Sequence, residues 1–327
     1  MNKLKQVGLT ALGTALVSTS AIGADMAVGG GAKMTFTGGD KDVQGNGWTM
    51  LDSITFRASA DLDNGWTVST AQNLGRGTIN NSNLKINMGD MGTFEMHTNG
   101  GTSVVGSWDD LLPAANEENW HSLTGENAGV GPIMAAGSVP DMFRYSVNVM
   151  DGLDVFASYA PSDGEAVARE SSSSYGVQYT GMEGLTVSLA QGENNEKIAV
   201  TNGNATASAA GKEIENTAMS VKYAIDSFTI GVQDNESDSG TANATYEYRG
   251  YGVSYAVSED LSVSYSTGTV DFENSSSADQ ETSGVGLSYT TGGITLSASW
   301  HEGEDLGGST ATSADKEAYE INIAFAF

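Results

Sequence analysis

A short turn followed by an alternating trio of residues recurs along this chain, and it constrains the fold more than any other feature. Each copy places a bulky apolar, a small polar and a second apolar residue after the turn, as in Asn64-Gly65-Trp66-Thr67-Val68. Further copies begin at Asp151, Glu183, Asp226, Glu259 and Gly292, with a weaker one at Asp90. Most copies lie about 32 residues apart, which suits two strands of about ten residues, one tight turn and one longer loop. The chain is therefore predicted to be a series of antiparallel β-hairpins.

The segments between the turns alternate apolar and polar residues. In the first segment Val28, Met34 and Phe36 share one parity, and Lys33 and Thr35 have the other. Sixteen such strands are predicted between residue 26 and residue 327. A charge that faces lipid at mid-depth costs about 2–4 kcal/mol, so charges confined to one parity fit a membrane barrel. A soluble β-sandwich that buries its apolar parity gives the same alternation, so the pattern alone leaves both folds open.

The positions of four tyrosines separate these two folds. Each lies three or four residues before a tight turn, at Tyr179, Tyr223, Tyr255 and Tyr289. A constant offset from the turns places the four side chains at one height, as in the aromatic girdle of a membrane barrel. Tyrosine also favours strands in general, which is the alternative explanation. Tyr246 and Tyr248 have the opposite parity to Tyr251, so a β-bulge is predicted at Arg249-Gly250.

The N-terminus predicts export. Lys3 and Lys5 precede an apolar stretch from Val7 to Val17, and small residues follow around Ala21-Ile22-Gly23-Ala24. This is the pattern of a cleaved signal peptide, predicted as residues 1–24, which leaves residues 25–327 as one domain. A membrane-spanning helix needs about 20 consecutive apolar residues, and no later run approaches this length. With hydrophobic residues at 39 %, the chain is also too polar for helical membrane spans.

Composition narrows the function further. The chain has no cysteine, so no disulfide stabilises the exported domain. Its formal net charge of −27 argues against a nucleic-acid partner, because nucleic acids are themselves polyanions. Solvated acidic loops and a role in ion selection both explain this charge.

The alternation stops over residues 100–140. This stretch contains Trp108, Asp109-Asp110, Glu117-Glu118 and several glycines, without a strand pattern. An irregular connection of this length is uncommon unless it has a function. We expect it to fold into the lumen of the barrel and to narrow it.

The last strand alternates five bulky apolar residues and ends on the terminal phenylalanine: Tyr319, Ile321, Ile323, Phe325 and Phe327. This strand resembles the C-terminal assembly signal of outer-membrane β-barrels. Together with the signal peptide, the hairpin series and the single long insertion, it makes the chain resemble the Gram-negative general diffusion porins. The length and the Gly-rich acidic character are most similar to porins of alphaproteobacteria.

The resemblance implies an all-β fold, a 16-stranded antiparallel transmembrane β-barrel whose third external loop folds inward. It implies a homotrimer in the Gram-negative outer membrane, in contact with lipid and lipopolysaccharide, and recognised by the barrel-assembly machinery. The implied function is a water-filled channel for passive diffusion of ions and small hydrophilic solutes, with no catalytic residues, metal or cofactor.

In such porins, basic side chains on the wall face acidic side chains on the loop. The basic residues of inward parity are Lys33, Arg57, Lys85 and Arg144. The acidic residues of the insertion are Asp109, Asp110, Glu117, Glu118 and Glu126. Opposed charges at the narrowest point would orient polar solutes, and the acidic excess predicts a weak cation preference. The basic residues could instead be solvated at any height of the wall, and the acidic ones could belong to the first turn of a short helix.

Three other functions remain open at this stage. An outer-membrane enzyme would have to use His97, His121 or His301, which no nucleophile motif accompanies. A secreted structural or adhesive β-protein would alternate similarly but would not explain the terminal strand. A substrate-selective channel would line its lumen with aromatic side chains, and Phe156 is the one aromatic residue that the strand pattern assigns to the inward face, which favours a general pore. Clustered carboxylates at Asp234, Glu236 and Asp238 could bind Ca²⁺, and solvated charge is the alternative.

Overall fold

The computed structural model describes residues 25–40, 47–123, 141–162, 171–194, 198–201, 204–207, 214–238, 240 and 242–327. The predicted signal peptide and Glu126 lie outside these ranges, as do residues 124–140 of the predicted constriction loop. The part of the chain that is described contains no helix long and apolar enough to cross a membrane.

Strands make up almost all regular structure in the described residues. They are β1 (Asp25–Gly39), β2 (Trp48–Asp61), β3 (Thr67–Gly75), β4 (Thr78–Asn87), β5 (Thr93–Asn99), β6 (Met142–Met150), β7 (Leu153–Ala160), β8 (Ser172–Tyr179) and β9 (Leu185–Asn194). They continue with β10 (Ile198–Thr201), β11 (Asn204–Ala207), β12 (Ile214–Ile225), β13 (Phe228–Asp238), β14 (Thr245–Ala256), β15 (Leu261–Phe272), β16 (Gln280–Thr291), β17 (Ile294–Glu304) and β18 (Lys316–Ala326). Single 3₁₀ turns span Gly89–Met91, Val105–Ser107, Leu306–Gly308 and Thr312–Ala314.

Sixteen of these strands form one closed barrel, which confirms the predicted fold class. Each barrel strand pairs antiparallel with its neighbour along the chain, except that β9 pairs with β12 because the hairpin β10–β11 forms a separate sheet between them. The barrel closes where β1 pairs with β18, with Phe36 opposite Ile321 and Met34 opposite Ile323. Closure leaves no free sheet edge, which a membrane-spanning sheet requires because lipid offers no hydrogen-bond partners.

The outward face is largely apolar, as the alternation predicted. Tyr179, Tyr223, Tyr255 and Tyr289 all point outward and are 38, 38, 37 and 38 % exposed. Equal exposure at equal offsets from the turns fits an aromatic girdle at one membrane interface. The residues of the terminal strand named above also lie on the outward face, except that Phe327 follows its end, where its backbone N–H donates to the Gly30 carbonyl at 3.0 Å. Their role in assembly stays a prediction.

The predicted β-bulge at Arg249-Gly250 is wrong. Strands β13 and β14 pair in continuous register from Phe228↔Tyr255 to Asp238↔Thr245. Tyr246 and Tyr248 therefore point inward, where both are buried, and Arg249 points outward. The bulge was predicted because both tyrosines were expected to face lipid, whereas they pack inside the barrel under another part of the chain.

Candidate functional site

The segment from Val104 to Leu123, here called the lumen loop, lies against the inner wall of the barrel. It begins in a small apolar cluster in which Val104, Val105 and Trp108 pack on Ala190 and Ala218 of β9 and β12. The Trp108 ring meets the edge of Phe156 on β7 at a centroid distance of 5.4 Å. This cluster fixes the entry of the loop into the lumen.

Glycines on the wall make room for the lumen loop. A Cβ atom at Gly176 would lie 2.6 Å from the Trp108 ring, and one at Gly231 would lie 2.5 Å from Cδ of Pro113. A Cβ atom at Gly250 of β14 would lie 2.7 Å from Cδ1 of Leu112, and one at Gly284 of β16 would lie 2.9 Å from Cα of Asn119. Because larger side chains at these positions would collide with the loop, the inner wall is shaped to receive it.

Buried polar side chains of the wall bind the backbone of the lumen loop. The Leu111 N–H donates to Oε1 of Gln233 at 2.6 Å, and Nε2 of Gln233 donates to the Trp108 carbonyl at 3.2 Å. Nδ2 of Asn235 donates to the Asp109 carbonyl at 2.9 Å. Gln233 is 0 % exposed. An irregular segment leaves its peptide groups unpaired, so these amides replace the bonds that a strand partner would supply.

The later part of the loop follows β15 to β18. The Ala115 N–H donates to Oγ of Ser264 at 2.8 Å, and Oγ1 of Thr282 donates to Oδ1 of Asn119 at 3.1 Å. The Trp120 ring meets Tyr248 edge-on at 5.4 Å. Leu123 then joins a cluster of Leu306, Ala314 and Ala318. The lumen loop thus runs around the wall from β7 to β18.

At its far end the loop reaches β1 and β18 through charged groups. Nζ of Lys33 lies 2.8 Å from Oε1 of Glu117 and 3.6 Å from Oε1 of Glu320. Nε2 of His121 lies 3.2 Å from Oε2 of Glu320, and Oγ of Ser122 donates to the same oxygen at 3.4 Å. Hydrogen bonding to Glu320, together with the nearby Glu117 and Glu118 carboxylates, raises the pKa of His121.

The other three basic candidates lie apart from this cluster. Lys85 and Arg144 face Glu95 from the two neighbouring strands of β5, and Nζ of Lys85 lies 2.8 Å from Oε1 of Glu95. Nη1 of Arg144 donates to the Thr102 carbonyl at 3.1 Å. Arg57 stands opposite Ala27, six positions along β2 from the residue opposite Lys33, toward the tight turn that follows β2. Among the described residues, Lys33 is therefore the basic candidate that touches an acidic candidate of the loop.

The acidic candidates differ in their surroundings. Burial raises the pKa of Asp109 to about 6. Desolvation and a hydrogen bond with Glu118 also raise the pKa of Asp110. These carboxyls are therefore partly protonated near neutral pH, and the loop carries less negative charge than its composition indicates.

Sequence reasoning missed Glu95 and Glu320 as members of the site. Both were visible as inward charges. Lys85, the partner of Glu95, lies on the adjacent strand, whereas His121 and Lys33, the partners of Glu320, are distant in sequence. It also missed that Tyr246, Tyr248 and Phe272 join Phe156 on the inward face. These aromatics pack beneath Leu112, Trp108 and Trp120 of the lumen loop, so they support the loop and do not form an exposed track.

The carboxylates considered for Ca²⁺ belong to a strand rather than a loop. Asp234, Glu236 and Asp238 lie on the outward face at the external end of β13. Arg249 of β14 donates to Oδ2 of Asp234 through Nε at 2.8 Å and Nη2 at 2.7 Å. One of the three carboxylates thus already has a cationic partner.

Comparisons with known proteins agree with this architecture. The family model described as "Gram-negative porin" matches residues 8–327. No curated protein sequence matches the chain at a significant level.

Several solved structures share the fold at low identity. The OmpT trimer form of Vibrio cholerae is 15 % identical with a TM-score of 0.68, covering 93 % of this chain and 99 % of its own. OmpF of Salmonella typhi, in complex with daunomycin, is 13 % identical with a TM-score of 0.67, covering 92 % and 97 %. The anion-selective porin of Comamonas acidovorans is 12 % identical with a TM-score of 0.65, covering 93 % and 100 %.

Proposed function

The chain belongs to the Gram-negative porin family and is an outer-membrane diffusion channel, and we propose that its narrowest passage lies between the lumen loop and the inner faces of β2 to β6. The observation that carries this proposal is the attachment of the loop along the wall from β7 to β18. Ions and small hydrophilic solutes then pass the opposite wall, where Arg57, Lys85, Glu95 and Arg144 point inward.

Within this passage we propose a weak preference for cations. Glu95 compensates one of the two positive charges of Lys85 and Arg144, and Glu117 with Glu320 outweighs the charge of Lys33, so part of the basic charge is compensated locally. Glu118 of the loop adds further negative charge, and Asp110 adds negative charge only to the extent that it is ionised. Fixed charge at the narrowest point sets the sign of selectivity. General diffusion is favoured over selective sugar transport because the inward aromatics identified above lie under the loop.

The cation preference is expected to weaken as the pH falls from about 8 to about 5. Asp109 has a pKa of about 6 and Asp110 a raised pKa, so both lose their charge as they bind protons below these values. Reversal potentials across planar bilayers in a KCl gradient measure this preference. Asp110→Asn should reduce the pH dependence, and Asp271→Asn on the outward face of β15 should leave it unchanged. An anion preference at neutral pH would show that the wall cations dominate and would contradict the proposal.

We propose further that the chain forms a homotrimer through the outward face of β1 to β5. The first tyrosine of the chain is Tyr145, so the tyrosine girdle is missing from this side. Exposed apolar side chains there are mainly Met, Leu, Ile and Phe, including Met50 and Ile54, and Trp48 is the one exposed tryptophan of β1 to β5. A face without interfacial tyrosine suits contact with protein rather than with lipid headgroups. The Vibrio OmpT trimer form offers a precedent within the same fold.

Met50→Glu is expected to convert the trimer into monomers, because it places a carboxylate in an apolar protein contact. Semi-native gel electrophoresis in mild detergent measures the oligomer, and the heat-induced mobility shift verifies that the barrel is folded. Leu287→Glu, on the outward face of β16, is the matched control and should remain trimeric. A trimer that survives Met50→Glu but dissociates with Leu287→Glu would place the contact elsewhere.

A further inference from the structure

The cluster at the end of the lumen loop contains the donor set of a transition-metal site. Glu117, His121 and Glu320 each offer one ligand atom, and these atoms lie within 4.8 Å of one another. The set joins an imidazole nitrogen to two carboxylate oxygens. Histidine with carboxylates is a common zinc environment, and a water molecule fills the fourth position of such open sites.

We propose that this cluster binds one Zn²⁺ ion and thereby fastens the lumen loop to β18. Ligands about 2.0 Å from a tetrahedral zinc ion lie about 3.3 Å apart, so distances within the set must shorten by up to about 1.5 Å. Glu117 and His121 belong to the irregular loop, where side-chain rotation can supply that movement. Their side chains are partly exposed to the lumen, which gives the ion a path of entry.

The carboxylate of Glu320 is held in place by an outer shell. Glu320 is 3 % exposed, and Nδ2 of Asn322 donates to its Oε1 at 2.6 Å. Oγ1 of Thr35 in turn donates to Oδ1 of Asn322 at 2.6 Å. Outer partners of this kind orient ligands and strengthen metal binding. A buried carboxylate aimed at a histidine of the loop is an observation independent of the acidity of the cluster.

His121 also has the surroundings of a metal ligand. Its Nε2 faces Glu320 at 3.2 Å, while its Nδ1 lies 3.7 Å from Oε2 of Glu117 and 3.8 Å from Oε2 of Glu118. If Nε2 binds the metal beside Glu320, Nδ1 has the Glu118 carboxylate nearby, which is not one of the proposed ligands.

Lys33 competes for the same place. Its ammonium group lies between Glu117 and Glu320 and supplies the positive charge that these two carboxylates require. Zn²⁺ would displace it, and the freed ammonium would turn into the lumen. Ca²⁺ prefers six to eight oxygen ligands, so a set of three that includes nitrogen favours zinc over calcium.

Isothermal titration of Zn²⁺ into the tag-free, detergent-solubilised protein tests the site without any measurement of current. One saturable site per chain is expected. His121→Ala should weaken binding at least tenfold, and Lys33→Met should strengthen it. His97→Ala is the matched control, because His97 also contacts a carboxylate, Glu95 at 3.2 Å, in a different part of the lumen. Equal heats with Ca²⁺ are not expected.

Three results would overturn the zinc proposal. They are no binding of Zn²⁺, equal weakening of binding by His97→Ala and His121→Ala, and equal binding of Ca²⁺. His121 lies on the loop, so its replacement leaves the barrel strands intact, and the heat-induced mobility shift verifies folding. The effect on current rests on the proposed passage and is measured separately: micromolar Zn²⁺ should reduce cation conductance in the parent protein and not in His121→Ala. Saturable zinc binding with unchanged conductance would support the proposed zinc site and contradict the proposed position of the passage.

Discussion

Removal of residues 103–138 is expected to raise the single-channel conductance about twofold or more, because the lumen loop occupies part of the cross-section of the barrel. The excision is feasible because β5 and β6 are paired neighbours, with His97 opposite Met142. Gly100, Gly101 and Thr102 would then join directly to residues 139–141 and leave a short connection. Conductance in planar bilayers, measured at fixed salt concentration, gives the result.

The barrel itself should survive this excision. The wall groups that the loop covers, such as Gln233, Asn235 and Ser264, would be hydrated by lumen water rather than left unpaired. A heat-induced mobility shift like that of the parent protein would verify folding. Deletion of the external hairpin β10–β11 is the control and should change conductance little. Unchanged conductance after removal of residues 103–138 would mean that the loop lies outside the path of ions.

Trp108→Ala is expected to detach the lumen loop from the wall. Trp108 is buried against Phe156, Ala190 and Ala218, and truncation of a buried tryptophan costs about 3–5 kcal/mol. This loss reduces the free energy that holds the loop on the wall and leaves the barrel itself stable, because the barrel strands retain their hydrogen bonds. A loss of about 3 kcal/mol raises the detached population about 100-fold. Limited proteolysis in mild detergent should therefore cleave within residues 104–123 about 100-fold faster, since cleavage follows the open population.

Trp300→Ala is the matched control for this prediction. Trp300 lies on the outward face of β17, so its loss removes the same side chain without touching the loop. It should leave the cleavage rate within the loop unchanged. Equal acceleration in both variants would indicate a general loosening of the barrel and would contradict the role of Trp108 as an anchor.

The fold was largely predictable because its determinants are local. Turn residues such as Asn64-Gly65 and the alternation of neighbouring side chains act within a few positions, and a membrane barrel requires both in every hairpin. The same rule failed at Tyr246 and Tyr248. Their parity assigned them correctly to the inward face, but their aromatic character favoured lipid, and the bulge was introduced to reconcile the two. Tyr248 packs inside the barrel against Trp120, which is more than 100 residues away in sequence.

Sequence alone therefore established the sixteen strands of the barrel, their direction and the face that most strand side chains take, because these depend on periodicity and on the solvent at each face. The tertiary structure alone established which inward groups meet. Lys33, Glu117, His121 and Glu320 come from two strands and a loop that barrel closure brings together. For the same reason, the sequence pattern shows certain glycines and serines only as ordinary strand residues, whereas in the structure they form the surface on which the lumen loop packs. The path of an irregular segment is set by long-range contacts, which periodicity does not encode.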